Sequence, residues 1–274
     1  MAEPEAAPYG FDTRAGLPVM TWPVFDEHPI RALVTTRDGG VSTGPYESLN
    51  LGLHVGDDPE TVIENRRRSA AAIGLSLEDL VFGNQVHGHA AIEVGTAHRG
   101  RGSTSSQDAV ADADALVTRD PGVGLAVMVA DCVPIVLYDP ATKTLACVHA
   151  GWRGTVACVA QSAVALMIDQ GARAEDILAG IGPAIAPERY QVGDDVAAAV
   201  RPTFGSDADR VLQPDEHGRW NLDLHHANRL LLEEAGVGQA NICVCGLDTA
   251  GGRFFSDRAV RPCGRFALLA CLQD

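Results

Sequence analysis

The sequence predicts one α/β domain with mixed β-sheets. Three observations predict it: short, continuous apolar runs of strand type alternate with capped helical segments, no segment repeats at a fixed period, and no linker divides the chain. The 274 residues suffice for a sizeable core. The balance of 46% hydrophobic to 21% charged residues is that of a globular chain rather than a disordered one.

Residues 1–29, rich in Pro and acidic groups, read as a loose N-terminal lead-in, and residues 30–274 as a single catalytic domain. The domain opens with a strand over Ile30 to Thr35. The Gly-rich stretch Thr36 to Pro45 follows as a binding loop, since its glycines allow positive φ and close approach of a ligand to backbone. Asp58 before Pro59 predicts a helix start, with the helix running to about Ile73 and Gly74 just past its end. Ser76 and Asp79 have capping-box spacing. Leu80 to Val86 reads as a strand that delivers His87 at its end, and Arg99 to Gln107, full of Gly, Ser and Thr, as a flexible surface loop or lid.

Leu125 to Ala130, Ile135 to Tyr138 and Leu145 to His149 are strand-type runs. Thr155 is the expected cap of a helix reaching about Gln170, ended by Gly171. A short strand over Asp176 to Gly180, a helix over Asp194 to Val200 and an amphipathic helix over Asp223 to Ala235, closed by Gly236, come next. Ile242 to Gly246 and Phe266 to Leu272 complete the strands.

A formal net charge of −15 would repel a polyphosphate backbone and argues against a nucleic-acid partner. An anionic substrate would need a small, arginine-lined pocket that overrides the global field. Met1 to Gly10 has neither a basic start nor an apolar run, so no signal peptide is expected. Val123 to Ala130, the longest apolar run, is far too short for a membrane span. Seven cysteines, an odd number, fit free thiols in a cytoplasmic protein and leave a thiolate metal ligand open.

Val133 to Tyr138 and Thr144 to His149 flank a Pro-containing turn and read as a hairpin. A turn centred between Ala141 and Thr142 sets Pro134 opposite His149, which makes Cys132 and His149 diagonal neighbours about 7 to 8 Å apart at the backbone. Two side chains reaching toward one ion at roughly 2.0 to 2.3 Å each can close that gap. Thiolate with imidazole is a set that zinc favours, and a third ligand, His87, would leave a fourth position for water. Other readings stand beside this one: Cys132 as a buried apolar residue, Cys147 as the thiolate, His89 as the histidine, His149 as a strand-end cap, or a Cys132 nucleophile with a histidine base.

The motifs Thr35-Thr36-Arg37-Asp38-Gly39-Gly40-Val41-Ser42, Ser48-Leu49-Asn50-Leu51-Gly52, Gln85-Val86-His87-Gly88, Ala130-Asp131-Cys132-Val133-Pro134 and Val148-His149-Ala150-Gly151-Trp152-Arg153-Gly154 span most of the chain. Ile181 to Ile185, Asn221 to Leu224 and Phe254 to Ser256 continue the series. With them the sequence resembles the peptidoglycan editing factor family, also called laccase-like polyphenol oxidases and multifunctional purine nucleoside phosphorylases. The resemblance implies a layered α/β/β/α sandwich, and metal ligands at His87, Cys132 and His149. It departs after Ser256, where the family usually has tyrosine and an Arg-Asp-Gly stretch while this chain has Asp257-Arg258-Ala259-Val260-Arg261-Pro262-Cys263.

The resemblance further implies zinc-dependent phosphorolysis of purine nucleosides, methylthioadenosine among them, and deamination of adenosine. Phosphate would then be a second substrate, and Arg37 and Arg153 are the arginines expected to hold it. Asn50 and Gln85 are candidates for ribose or base, Asp131 for orienting a ligand, and Trp152 for packing. Two alternatives come from the family name: hydrolysis of a mis-charged peptidoglycan precursor, a nucleotide sugar bearing an amino acid, and a non-catalytic role beside cell-wall or division proteins. A multicopper laccase needs about ten histidines in paired motifs (copper-site chemistry in), whereas this chain has nine and one His-x-His pair, His87 and His89.

Overall fold

The computed structural model describes residues 7–215 and 218–273, so Met1 to Ala6 of the expected lead-in lie outside the described residues. The chain runs β1 (Gly10–Arg14), β2 (Leu17–Thr21), β3 (Ile30–Thr35), α1 (Pro59–Ala72), β4 (Leu80–Phe82), β5 (Ala91–Glu93) and β6 (Ala115–Thr118). Then come β7 (Gly124–Val129), β8 (Val133–Asp139), β9 (Thr144–Ala150), α2 (Trp152–Val156), α3 (Val159–Asp169) and β10 (Leu178–Ile181). The last third carries β11 (Gln191–Val192), α4 (Asp194–Phe204), α5 (Ala208–Val211), β12 (Leu212–Pro214), β13 (Trp220–Leu222), α6 (Leu224–Glu234), β14 (Ile242–Val244) and β15 (Phe266–Leu272).

Two six-stranded mixed sheets, ordered β1-β2-β3-β15-β7-β4 and β14-β10-β8-β9-β6-β5, stack face to face, with a small β11-β13-β12 sheet beside them. Alternation along each strand sorts the side chains into layers. On β15, Leu268 and Ala270 join Val34, Val136 and Leu145 between the sheets, while Ala267 and Leu269 face Ala70 of α1 and Ile73 just past its end. On β8, Val136 and Tyr138 face inward, and Ile135 and Leu137 pack outward with Ala163, Met167 and Leu231 of α3 and α6. The result is the expected α/β/β/α sandwich. Because both faces of each central strand are buried, the sequence shows continuous apolar runs there instead of an apolar/polar alternation.

The caps behave as their residues predict. Asp58 accepts from Glu60 N at the start of α1, and Asp223 accepts from His226 N at the start of α6. Gly74 and Gly236 follow the two helices with positive φ. Asp79 accepts from both the N–H and the hydroxyl of Ser76.

Four expectations change. Residues 10–21 are not loose: β1 and β2 form an antiparallel hairpin that joins β3 through Val19 opposite Thr35, and Val19, Met20, Trp22 and Phe25 are buried. The strand before His87 stops at Phe82, the last residue paired with β7, and Gly83 bridges Val110 instead. Thr155 does not cap the long helix. It sits buried in α2 and accepts a hydrogen bond from Asn228, while Cys158, at φ 63, separates α2 from α3. Finally, the stretch 99–107 is tied down. Arg66, 2% exposed, donates to the carbonyls of Gly102 and Ser103 at 2.6 and 2.9 Å, so this stretch is not a free lid.

Among the described residues no helix is long and apolar enough to cross a membrane.

Candidate metal centre and its pocket

The β8–β9 hairpin has the expected register, with Pro134 opposite His149 and Val133 opposite Ala150. Its turn is set by Asp139, whose carboxylate accepts from Thr142 N at 2.8 Å. His149 shares the Leu145 and Cys147 side of β9, the side packed between the sheets, and is 3% exposed near the strand's end. Cys132 immediately precedes β8 and follows Asp131, which turns the chain at φ 88. His87 arrives on a loop from the other direction, itself at φ 60.

One carboxylate organises both histidines. Asp114, just before β6 and 0% exposed, bonds His149 Nδ1 at 2.8 Å. It also accepts from the backbone N–H groups of Val86, His87 and Gly88 at 3.2, 3.0 and 2.7 Å. Three such bonds hold the left-handed backbone of His87, a conformation costing about 1–2 kcal/mol for a residue with a Cβ. Fixing Nδ1 of His149 leaves Nε2 as its free ring nitrogen, the arrangement in which metal-binding histidines are usually oriented.

One ligand atom from each of His87, Cys132 and His149 lies within 4.8 Å of the others. Cys132 Sγ is 3.8 Å from His87 Nε2, and the two imidazole rings meet edge to face at 4.8 Å. Gly151 makes this convergence possible, because a Cβ there would sit 2.8 Å from Cys132 Sγ and 2.9 Å from the His87 ring. Burial pushes the Cys132 thiol up, but the charge of His149 and hydrogen bonds from both histidines outweigh it and hold the thiol well below its ordinary value. Burial pulls His149 down, yet the Cys132 thiolate and Asp114 raise it overall. A thiolate beside oriented imidazoles is a donor set suited to a divalent ion.

Two of the rival residues lie elsewhere. His89 is exposed and outside the cluster. Cys147 is 0% exposed between the sheets, where burial pushes its thiol far up.

The triad opens into a cavity of about 710 Å³ whose wall includes Trp152, Arg153, Tyr190 and three arginines of the C-terminal tail, Arg258, Arg261 and Arg265. Of the expected substrate residues, Arg153 is in this wall, with its guanidinium over Trp152 at 4.5 Å. Gln85 is also in the wall, but both ends of its amide bond the backbone of Met128 at 2.8 Å, so it pins the His87 loop to β7. Asn50 is 0% exposed and away from the cavity, its side chain bonding Asp57, Gly52 N and Arg265 N. Arg37 lies elsewhere too, donating to the Glu47 carbonyl and covering Phe255 at 5.0 Å in a separate cavity of about 300 Å³. The Asp131 carboxylate accepts from Thr249 Oγ1 at 2.6 Å and Arg258 N at 2.7 Å, anchoring the tail.

Sequence reasoning passed over Asp114, Tyr190 and the tail arginines. Asp114 carried a faint signal as an acid placed directly before an apolar strand run, and the arginines carried none, since loops alone bring them to the triad.

The sequence model of a family described as multi-copper polyphenol oxidoreductase laccase matches residues 31–273. The chain belongs to this family. Within this laccase-like polyphenol oxidase family, a purine nucleoside phosphorylase of Deinococcus radiodurans is 43% identical over 246 residues, 90% of this chain and 89% of its own. Adenosine deaminase RL5, from an unknown prokaryotic organism, is 38% identical over 78% of this chain and 81% of its own. The crystal structure of a Bacillus licheniformis hypothetical protein, YfiH, superposes with a TM-score of 0.92 at 34% identity, covering 97% of this chain and 99% of that one. Although the family description names several coppers, the described residues of this laccase-like chain gather one cluster of three His, Cys or carboxylate ligands.

Proposed function

We propose that the chain is a zinc-dependent purine nucleoside phosphorylase that also cleaves methylthioadenosine with phosphate and deaminates adenosine. The observation that carries this reading is the convergence of His87, Cys132 and His149 at a cavity walled by arginines in a chain of net charge −15. The phosphorylase and deaminase names of the two relatives support it. His87, Cys132 and His149 would hold the zinc, which when bound supplies Lewis acidity that makes water a competent nucleophile near neutral pH.

The chain's own groups do the rest. Asp114 keeps His149 in one tautomer and fixes the His87 loop. Tyr190, whose phenol burial pushes up to about 12, stays protonated and can donate to a bound nucleoside. In phosphorolysis a phosphate oxygen forms a bond to the sugar C1′, the C1′–N9 bond breaks, and the base leaves with the electron pair and takes a proton. The wall arginines hold the phosphate and offset its charge as it attacks. In deamination water adds at the amino-bearing carbon of adenine, and ammonia leaves after taking up a proton.

Metal analysis of the purified protein, paired with product analysis on adenosine, inosine and methylthioadenosine with and without phosphate, tests the reading. Expected are zinc in the protein, conversion of adenosine to inosine without phosphate, and free base with a sugar 1-phosphate when phosphate is added. Intact substrates under both conditions would overturn it.

A further inference from the structure

We propose that Arg153 and Arg258 form the oxyanion subsite of the cavity, and that Asp257 sets its strength by withholding Arg261 and Arg265 from it. The assignment rests on the phosphorylase reading for the identity of the anion, but the geometry stands by itself. The two pairs of arginines share a wall and differ in what holds them.

Arg261 Nη2 is 2.5 Å from Asp257 Oδ2, and Arg265 Nη2 is 3.4 Å from Asp257 Oδ1. One carboxylate thus takes up two guanidinium groups. Arg261 also donates through Nε to the Asp257 carbonyl, and Arg265 to the carbonyls of Cys263 and Gly264. Asp257 offsets one of their two positive charges and holds both groups to itself and to nearby carbonyls.

Arg153 and Arg258 have no carboxylate partner among the described residues. Each lies on an aromatic ring of the cavity wall, Arg153 on Trp152 at 4.5 Å and Arg258 on Tyr190 at 5.0 Å. Stacking orients a guanidinium without occupying its N–H fork, and a planar fork matches the paired oxygens of a tetrahedral oxyanion. Arg258 is further positioned by its own backbone N–H, bonded to Asp131, and by Nη1, which donates to the Gln191 carbonyl at 3.1 Å. Both arginines line the cavity that also holds Tyr190 and Cys132, and Arg258 covers the Tyr190 ring directly. Asp131, the other acid in the wall, keeps its charge but is held away on the tail side, its carboxylate accepting from Thr249 Oγ1 and the Arg258 backbone N–H. An oxyanion between Arg153 and Arg258 would sit beside the metal ligands, where phosphate must meet the sugar C1′.

The test has two arms on the metal-loaded protein: calorimetric titration with inorganic phosphate, and inosine phosphorolysis at varied phosphate measured beside adenosine deamination. Arg258→Ala and Arg153→Ala should each weaken phosphate binding and raise its KM by about tenfold or more, the loss of a charge-assisted contact. The ratio of phosphorolysis to deamination should fall by a similar factor, and Arg258→Lys should recover only part of it. Asp257→Asn should shift the phosphate KM downward by about threefold as Arg261 and Arg265 are released. If wild type phosphorolyses inosine while both alanine variants keep its phosphate KM, this subsite is wrong and the phosphorylase reading survives. If phosphate binds wild type and is lost in the variants with no free base formed, the subsite stands and the phosphorylase reading fails. Absence of phosphate binding in wild type overturns the subsite outright.

Discussion

The metal triad and the arginine wall occupy one cavity but are built by opposite means. The triad hangs on a strand hairpin of fixed register and on one buried carboxylate, Asp114, that serves two of its three ligands. Apart from Trp152 and Arg153 on α2, the wall hangs on loop-to-loop bonds, between Asp131 and Arg258 N and between Asp257 and Arg261 and Arg265, with no strand of its own until Phe266. The first region is suited to holding an ion within a few tenths of an ångström, and the second to tuning charge by changing single residues. Substitutions should therefore act almost all-or-none on the triad and by degrees on the wall.

The largest effect belongs to Cys132→Ala, which should abolish both zinc retention and turnover while the far-UV spectrum and cooperative unfolding persist. Cys132 is only partly buried at the edge of the core, so its loss opens little cavity. Full activity in a metal-free Cys132→Ala protein would break the distinction between the regions at once. Asp114→Asn comes next. An amide cannot accept from three loop N–H groups and His149 as a carboxylate does, and loss of such an orienting partner weakens metal affinity by about 10–100-fold. Competition with a chelator measures it. Unaltered affinity would mean that the hairpin alone sets the triad.

These two residues also show what the sequence could disclose. Cys132 and His149 were legible because a hairpin's register follows from where its turn is centred, and Asp139 with Pro140 marks that turn. The central strands were legible because burial on both faces leaves long apolar runs, and α1 and α6 because Asp58, Asp223, Gly74 and Gly236 mark their ends. The β1–β2 hairpin was hidden by its own composition. Only β2 is buried in it, Pro18 and the acidic neighbours mask the alternation, and β1 is largely exposed. His87 was located, but its strand was drawn too long, since the switch of Gly83 from β7 to Val110 is a tertiary fact. The tail arginines were illegible and Asp114 nearly so, because contacts between residues far apart in sequence leave little local spacing to read.

A smaller effect should follow Asp131→Asn, which strikes the anchor of the wall. The amide oxygen can still accept from the Arg258 N–H, but its NH2 end then faces the Thr249 hydroxyl and becomes the donor there, so the hydroxyl proton loses the acceptor it has in the native protein. Leaving a donor unpaired costs about 1–3 kcal/mol, readable in urea unfolding. The freed tail should raise the phosphate KM while zinc content stays near wild type. Equal loss of zinc and phosphate would show that wall and triad form one unit.

Arg37→Ala should have the smallest effect, although the sequence alone had placed Arg37 at the phosphate. Its guanidinium donates to the Glu47 carbonyl and covers Phe255, and its cavity shares no lining residue with that of the triad. Removing it loses a partly exposed cation–π contact and two hydrogen bonds to one carbonyl, a cost of about 1–2 kcal/mol in stability. The phosphate KM should move less than about twofold, under 0.5 kcal/mol at the tenfold-per-1.4 kcal/mol scale. Steady-state phosphorolysis with Arg37→Ala and Arg258→Ala side by side measures the contrast. A phosphate KM raised more by Arg37→Ala than by Arg258→Ala would move the anion out of the tail wall and into the glycine loop, and the division of labour between hairpin and tail would have to be redrawn.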